Sequence, residues 1–250
     1  MKILLTNDDG VNAKGLSVLK EIALQLSDNV WICAPDTEQS AKSRAVSLHN
    51  PVRLKKIGER VFSVTGTPTD SVIIALKALM PDDLPDLIMS GVNRGQNLAE
   101  DLTFSGTVAG ALQGMQMGVP SIALSLAKGF QGARSLPWET ALEHGAPVLK
   151  DLLEKGWEKS VVPNINFPDR APDAVEGVQF TRQGHRDFQM TGVDRRSHPR
   201  GGDYFWMTYG AKMSNPAKGT DLRAIYDGYI SITPLHTDLT HQASLDNFNA

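Results

Sequence analysis

The chain opens on a short aliphatic run, KILLT at 2–6, followed by LSVLKEIALQL at 16–26, where apolar residues recur every three or four positions. That change of period, from a compact apolar run to a helical repeat, marks a strand followed by a helix packed on it. The alternation continues. VWICA (30–34), DLIMS (86–90), PSIALS (120–125) and VVPNINF (161–167) read as strands. DSVIIALKALM (70–80), TVAGALQGMQMG (107–118) and PWETALEHGAPVLKDLLEKG (137–156) read as helices, the last despite Pro147. Strands separated by helices imply a mostly parallel sheet with helices on both faces, so the predicted class is α/β and Rossmann-like. Between 35 and 65 the alternation lapses, and AVSLHNPVRLKKI with VFSVTG predicts a β-hairpin inserted after the second strand.

Beyond about residue 168 Pro and Gly become frequent, and helical period returns only in GTDLRAIYDG (219–228), ahead of the strand YISITPL (229–235). The expected division is a catalytic core over 1–184 and a C-terminal extension over 185–250, irregular or β-rich across 185–218. That stretch carries Tyr204, Phe205, Trp206 and Met207, apolar area that monomers rarely leave in water. A homodimer or homotetramer sharing this extension is therefore expected. Composition narrows the setting. With 25 basic against 28 acidic residues, the chain has no overall field to hold a nucleic-acid duplex. Runs such as VIIAL at 72–76 fall far short of the ~18 residues of a membrane span, and MKILLTNDDG meets its acids too early for a signal peptide. A cytoplasmic protein without a membrane partner is expected. The single cysteine, Cys33, lies in the apolar segment NVWICAP and is expected to be buried and structural.

The strongest chemical signal is Asn7-Asp8-Asp9-Gly10 at the end of the first strand. Carboxyl ends of parallel strands form the ligand crevice, and two adjacent carboxylates there repel one another unless a hard cation such as Mg²⁺ or Mn²⁺ joins them. A turn with Asp capping the next helix would use the same residues. Two further strand ends add neutral oxygens: SGVN at 90–93, opening the loop GVNRGQNLAEDL, and APDTEQS at 34–40 with Ser40. In Phe104-Ser105-Gly106-Thr107, small and hydroxyl residues run straight into a helix, a junction suited to a phosphate or to plain capping by Ser105. GTPTDS at 66–71 leaves the same two readings open. No HExxH, HxH or P-loop spacing occurs, so zinc and P-loop nucleotide chemistry lack support. Five arginines over 182–200 stand against Asp187 and Asp194, a basic stretch that either faces solvent or a subunit or attracts an anionic substrate. His185 is the one histidine of interest there.

Taken together, ILLTNDDG (3–10), APDTEQS (34–40), TGTPTDSV (65–72), SGVNRGQNLAEDLTFSGTVAGA (90–111), NINFP (164–168) and GTDLRAIYDGYISITPLHTDLT (219–240) resemble the SurE family of survival-protein nucleotidases. The resemblance implies a divalent-metal-dependent phosphatase acting on nucleoside 5′- or 3′-monophosphates, with a C-terminal region exchanged between subunits. It implies one Mg²⁺ or Mn²⁺ held by Asp8, Asp9, Ser40 and Asn93, with Asn97, Ser105, Gly106 and Thr107 near the phosphate. No strong general base is evident apart from the acidic pair, so a catalytic role is expected there, with Asp8 or Asp9 doubling as ligand and proton acceptor. Two positions depart from the family pattern: Ala41 replaces the usual Gly after the ligand serine and is followed by Lys42, and Phe104 replaces the usual Tyr before SGT. The rival reading is a non-enzymatic receiver-type signalling module, which would need an Asp at a third strand end and a Lys at a later one. The chain offers SGVN and SLAK at those ends.

Overall fold

In β1 (Lys2–Thr6), Ile3 and Leu5 join a core on one side of the sheet and Leu4 a separate core on the other, all three fully buried. A strand apolar on both faces belongs to a sheet covered on both sides. The computed structural model describes residues 1–129, 135–187, 191–209 and 214–249. After β1 come α1 (Lys14–Leu24), β2 (Asn29–Pro35), β3 (Leu54–Gly58), β4 (Val61–Val64) and α2 (Pro68–Ile74). The chain continues through β5 (Leu87–Arg94), α3 (Gly106–Gln116), β6 (Ser121–Leu126), α4 (Trp138–Lys155), β7 (Val162–Phe167) and β8 (Val178–Phe180). It ends with β9 (Thr191–Ser197), β10 (Asp203–Tyr209), α5 (Asp221–Asp227), β11 (Ile230–Leu235) and α6 (Gln242–Phe248).

Nine strands form one sheet in the order β3-β4-β2-β1-β5-β6-β7-β11-β8. The six from β4 to β7 are parallel, β3 runs against β4, β11 runs against β7 with β8 parallel to it at the edge, and the class is the α/β arrangement expected. The inserted hairpin is present as β3 and β4, and β4 extends the sheet by pairing with β2. Leu16, Leu19 and Ile22 of α1 and Leu149 and Leu152 of α4 pack on one face. On the other lie Val72 of α2 and Val108, Ala111 and Met115 of α3. Cys33 is buried in that second core, and burial pushes its thiol up to about 12. From β1 the chain moves outward through β2 towards one edge, then crosses to β5 and moves through β6 and β7 towards the other. The strand order therefore reverses between β1 and β5, the place where an open α/β sheet leaves a crevice.

Two elements differ from the sequence reading, and a third takes the β-rich one of its two alternatives. The helix expected over 70–80 is α helical only through Ile74 and continues as a wider π turn over Ala75–Leu79, which keeps Leu76 and Met80 in the same core. The strand expected to stop at 90 runs on to Arg94 with a bulge against β6 between Ser90 and Asn93. Its polar residues looked like loop, and Gly91 makes the continuation possible: at φ 137 a Cβ there would sit 2.1 Å from the Leu124 carbonyl oxygen of β6. Within 185–218 the described residues form a regular two-stranded hairpin, β9 with β10, separate from the main sheet. After it the chain returns to the main body, where Ile230 and Ile232 of β11 belong to the core and β11 pairs with β7 and β8.

Candidate active site

The turn after β1 is closed by Asn7, whose Nδ2 donates to the Gly10 carbonyl at 2.9 Å, and is joined to the turn after β2 by Gln39 N–H donating to the Asp8 carbonyl at 2.8 Å. Those two turns and the end of β5 enclose a cavity of about 380 Å³. Asp8, Asp9, Ser40, Asn93, Asn97 and Ser105 all line it. Six of the eight residues singled out in the sequence thus meet on one concave surface at the strand-order reversal. Gly106 and Thr107 stand behind it. Thr107 is fully buried, and its hydroxyl donates to Asp8 Oδ1 at 2.5 Å, so it grips a carboxylate where the sequence reading aimed it at the phosphate. Gly106 allows that grip. A Cβ on Gly106 would lie 2.7 Å from Asp8 Cβ and 2.9 Å from its Oδ2, so only glycine lets α3 start this close to β1.

Burial is the main force on the two carboxylates. It raises Asp8 to about 6, with the neighbouring Asp9 and Glu38 adding to the rise and the Thr107 hydroxyl opposing it. Asp9 is also raised, by burial first, against the Arg94 backbone N–H that donates to its Oδ2 at 3.1 Å. The other proposed donors are oriented by their second polar atom. Asn93 Nδ2 donates to the Gly95 carbonyl at 2.9 Å, which leaves its own oxygen as the end for a cation, and Ser40 Oγ donates to Glu38 Oε1 at 2.9 Å. Asn97 is fixed from below: its Nδ2 donates to Ser125 Oγ at 2.8 Å, its N–H to Asn166 Oδ1 at 2.9 Å, and its carbonyl accepts from Asn164 and Asn166.

Ser105 Oγ accepts from the Val108 N–H at 3.0 Å and so caps α3, while Ala109 N–H donates to the Ser105 carbonyl. No hydrogen bond within the described residues engages the N–H groups of Gly106 and Thr107, the first two of the helix. Such groups, with the helix dipole behind them, suit an anion. At GTPTDS the two open readings close on capping. Thr67 and Asp70 form a reciprocal capping box at the start of α2, and Asp70 also holds Ser47, so neither hydroxyl nor carboxylate is turned to the cavity.

Sequence reasoning missed part of the lining: Glu38, Arg94, Gln96, Asp101 and Lys128. Arg94 and Gln96 were inside the SGVNRGQN motif, and Lys128 sits just past the end of β6, where the strand-end rule applied to SLAK would have found it. Four carboxylates, Asp8, Asp9, Glu38 and Asp101, face two cations, Arg94 and Lys128. A cavity with that excess of negative charge admits a phosphate only in the company of a cation. The donor set therefore fits a hard divalent ion: two carboxylates that burial and mutual repulsion disfavour as anions, plus neutral oxygens. Among the described residues no group of three or more His, Cys, Asp and Glu side chains forms a metal cage, and the fit rests on this mixed set.

Both departures from the family pattern lie at the rim. Ala41 holds φ 59, a left-handed conformation that favours the glycine usual there, and Phe104 is more than half exposed. Of the five arginines over 182–200, Arg186, Arg195 and Arg196 are paired with carboxylates, which leaves this stretch little free charge to attract a substrate. His185 Nδ1 lies 3.3 Å from Glu100 on the surface.

Residues 3–190 match the family model described as Survival protein SurE. A 5′-nucleotidase SurE of Hyphomonas neptunium is 58% identical over 98% of this chain and 96% of its own length. One of Caulobacter vibrioides is 54% identical, covering 98% and 94%. Among solved structures, a SurE protein of Aquifex aeolicus superposes with a TM-score of 0.83 at 33% identity, covering all of this chain and 98% of the other.

Proposed function

The chain belongs to the SurE family, and from that premise we propose that it is a metal-dependent 5′-nucleotidase, releasing phosphate from nucleoside monophosphates. The observation that carries the reading is the meeting of Asp8, Asp9, Ser40, Asn93, Asn97 and Ser105 on one cavity at the carboxyl ends of β1, β2 and β5. Asp8, Asp9, Ser40 and Asn93 are the proposed holders of one Mg²⁺ or Mn²⁺. The ion would supply a Lewis acid towards the phosphoryl oxygens and an ordering centre for the attacking water. The N–H groups of Gly106 and Thr107, with Asn97 and Ser105, would receive the phosphate oxygens, and Arg94 and Lys128 would balance charge as the bond to the leaving oxygen lengthens. Thr107 keeps Asp8 in one rotamer through its 2.5 Å hydrogen bond. The proton leaving the water would pass to the Asp8–Asp9 pair. Nucleoside 5′-monophosphates are the proposed main substrates, with 3′-monophosphates accepted. The receiver-type alternative has no support: Asn93 stands at the third strand end, and no relative reported above is a signalling module.

A homodimer or homotetramer built through the C-terminal extension, working in the cytoplasm, completes the proposal. It is supported by the exposure of Val193, Phe205, Trp206 and Met207, each more than half exposed, on an isolated hairpin. No helix among the described residues is long and apolar enough to cross a membrane. The test of the activity is phosphate release from a panel of nucleoside monophosphates. Release is expected with Mg²⁺ or Mn²⁺, is abolished by EDTA, and falls by roughly 100-fold or more in Asp8→Asn at saturating metal. Wild-type turnover in Asp8→Asn would remove this site from the reaction.

A further inference from the structure

The turn over Ala99–Thr103 connects the two sides of the active site, with Asn97 before it and Ser105 after it. Ala99 sits in a small core with Leu98 and Leu102 packs beside α3, but Ala99 holds φ 51, a conformation costly for a residue with a Cβ, and Glu100 and Asp101 carry no apolar surface. The turn is kept there from outside. Ala99 N–H donates to Asp221 Oδ2 and the Ala99 carbonyl accepts from Gln183 Nε2, both at 2.9 Å. Its two acids close on Arg186. The Arg186 N–H donates to Glu100 Oε1 at 2.9 Å, its Nη1 to Glu100 Oε2 at 3.3 Å and its Nη2 to Asp101 Oδ2 at 2.7 Å. The Arg186 side chain is only 6% exposed, so removing it would leave the partly buried Asp101 without its cation and free the half-exposed Glu100 to turn to solvent. Beyond the turn, the Thr103 and Phe104 carbonyls accept from Ser43 Oγ at 2.7 Å and Ser43 N–H at 3.1 Å, which ties the turn to the loop that carries Ser40.

We propose that Arg186 is a positioning residue of the active site: clamping Glu100 and Asp101 from the root of the C-terminal arm, it sets the turn that places Ser105, the start of α3 and the Ser40 loop around Asp8 and Asp9. It touches neither metal donor nor phosphate donor itself. The proposal rests on the nucleotidase reading above. It gives the C-terminal region a part in catalysis although every proposed ligand lies far ahead of it in the chain. Only a planar fork reaches both acids at once, so lysine replaces it in part.

The test uses full-length protein, Mn²⁺ and a nucleoside 5′-monophosphate. Arg186→Ala is expected to lower kcat by about 10- to 100-fold, the scale of a misplacement of about 1 Å, and to weaken inhibition by inorganic phosphate. Its Mn²⁺ affinity, read from the metal-induced rise in melting temperature, should fall less than kcat does, because Asp8, Asp9 and Asn93 are untouched and only the Ser40 loop among the metal holders is released. Arg186→Lys should recover part of kcat. A folded Arg186→Ala with wild-type kcat and phosphate inhibition overturns the proposal, as does a loss of rate that tracks only the unfolded fraction. Should Arg186→Ala not fold, Glu100→Gln and Arg186→Lys, which each keep one pairing, take its place, and wild-type kcat in both overturns it equally. A wild-type protein that binds Mn²⁺ but releases phosphate from no nucleoside monophosphate defeats the nucleotidase reading instead.

Discussion

Asp8 concentrates the competing forces at the site. Burial and the charges of Asp9 and Glu38 raise it to about 6 from 3.8, and the Thr107 hydroxyl pulls the other way. A carboxyl raised in the folded state binds its proton more tightly there than in the unfolded chain. Its contribution to stability is fully present below pH 3.8 and is lost as pH rises through about 6. Without metal, Asp8 therefore costs the neutral-pH protein on the order of 3 kcal/mol relative to acid pH. In EDTA, Asp8→Asn should be more stable than wild type at pH 7, and the difference should close below pH 4, as chemical denaturation at several pH values will show. Parallel stability profiles for the two proteins would contradict this account. Metal binding needs the carboxylate, so Mn²⁺ affinity should fall as pH drops through about 6. Thr107→Val removes the opposing hydrogen bond and should move that fall to higher pH; an unmoved midpoint would leave Thr107 a packing residue.

At the scale of elements, the site depends on α3 starting against the end of β1. Glycine at the first position of a helix gives up stability in exchange for close approach, and here the approach is to Asp8, 2.7 Å from where a Cβ would be. Gly106→Ala should leave the melting temperature within a few degrees, since alanine favours the helix while the clash is local. It should lower kcat by about 10-fold or more by displacing Asp8 or the N–H groups of α3. Steady-state kinetics beside a thermal melt separate the two effects, and unchanged kcat would show that the helix start can move without loss. The same packing logic explains why β5 could not be bounded from its sequence. A polar stretch continues as strand because Gly91 admits the β6 backbone, and the signal for that is a partner strand distant in the chain.

For the whole molecule, the decisive feature is the hairpin of β9 and β10. Tyr204 and Trp206 lie on one of its faces and Phe205 and Met207 on the other, and all four are exposed. Two strands with apolar groups on both faces do not hold in water alone. Phe205→Ser with Met207→Ser should shift the protein to a smaller species in light scattering at micromolar concentration. A wild-type protein that is already monomeric would refute the proposed assembly. Deleting 191–209 is the informative truncation. Ending the chain at 184 would also remove β11, whose Ile230 and Ile232 belong to the main core, so that variant would report unfolding.

What the sequence determined by itself was the alternation of strands and helices and the residues of NDDG, SGVN and SGT, because hydrophobic period and turn chemistry act over a few neighbouring residues. Ser40 was legible as a neutral oxygen in the loop that follows β2, whereas Asn97 was reached only through the family resemblance. Only the tertiary structure decided the direction in which those side chains act. Thr107 turns inward to Asp8, Asp70 closes a capping box, Arg94 and Lys128 join the cavity, and Arg186 reaches back to Glu100 and Asp101. The physical reason is common to all of them: a hydrogen bond or ion pair between residues far apart in the chain leaves no periodicity behind, and which polar atom faces a cavity is settled by the elements packed around it.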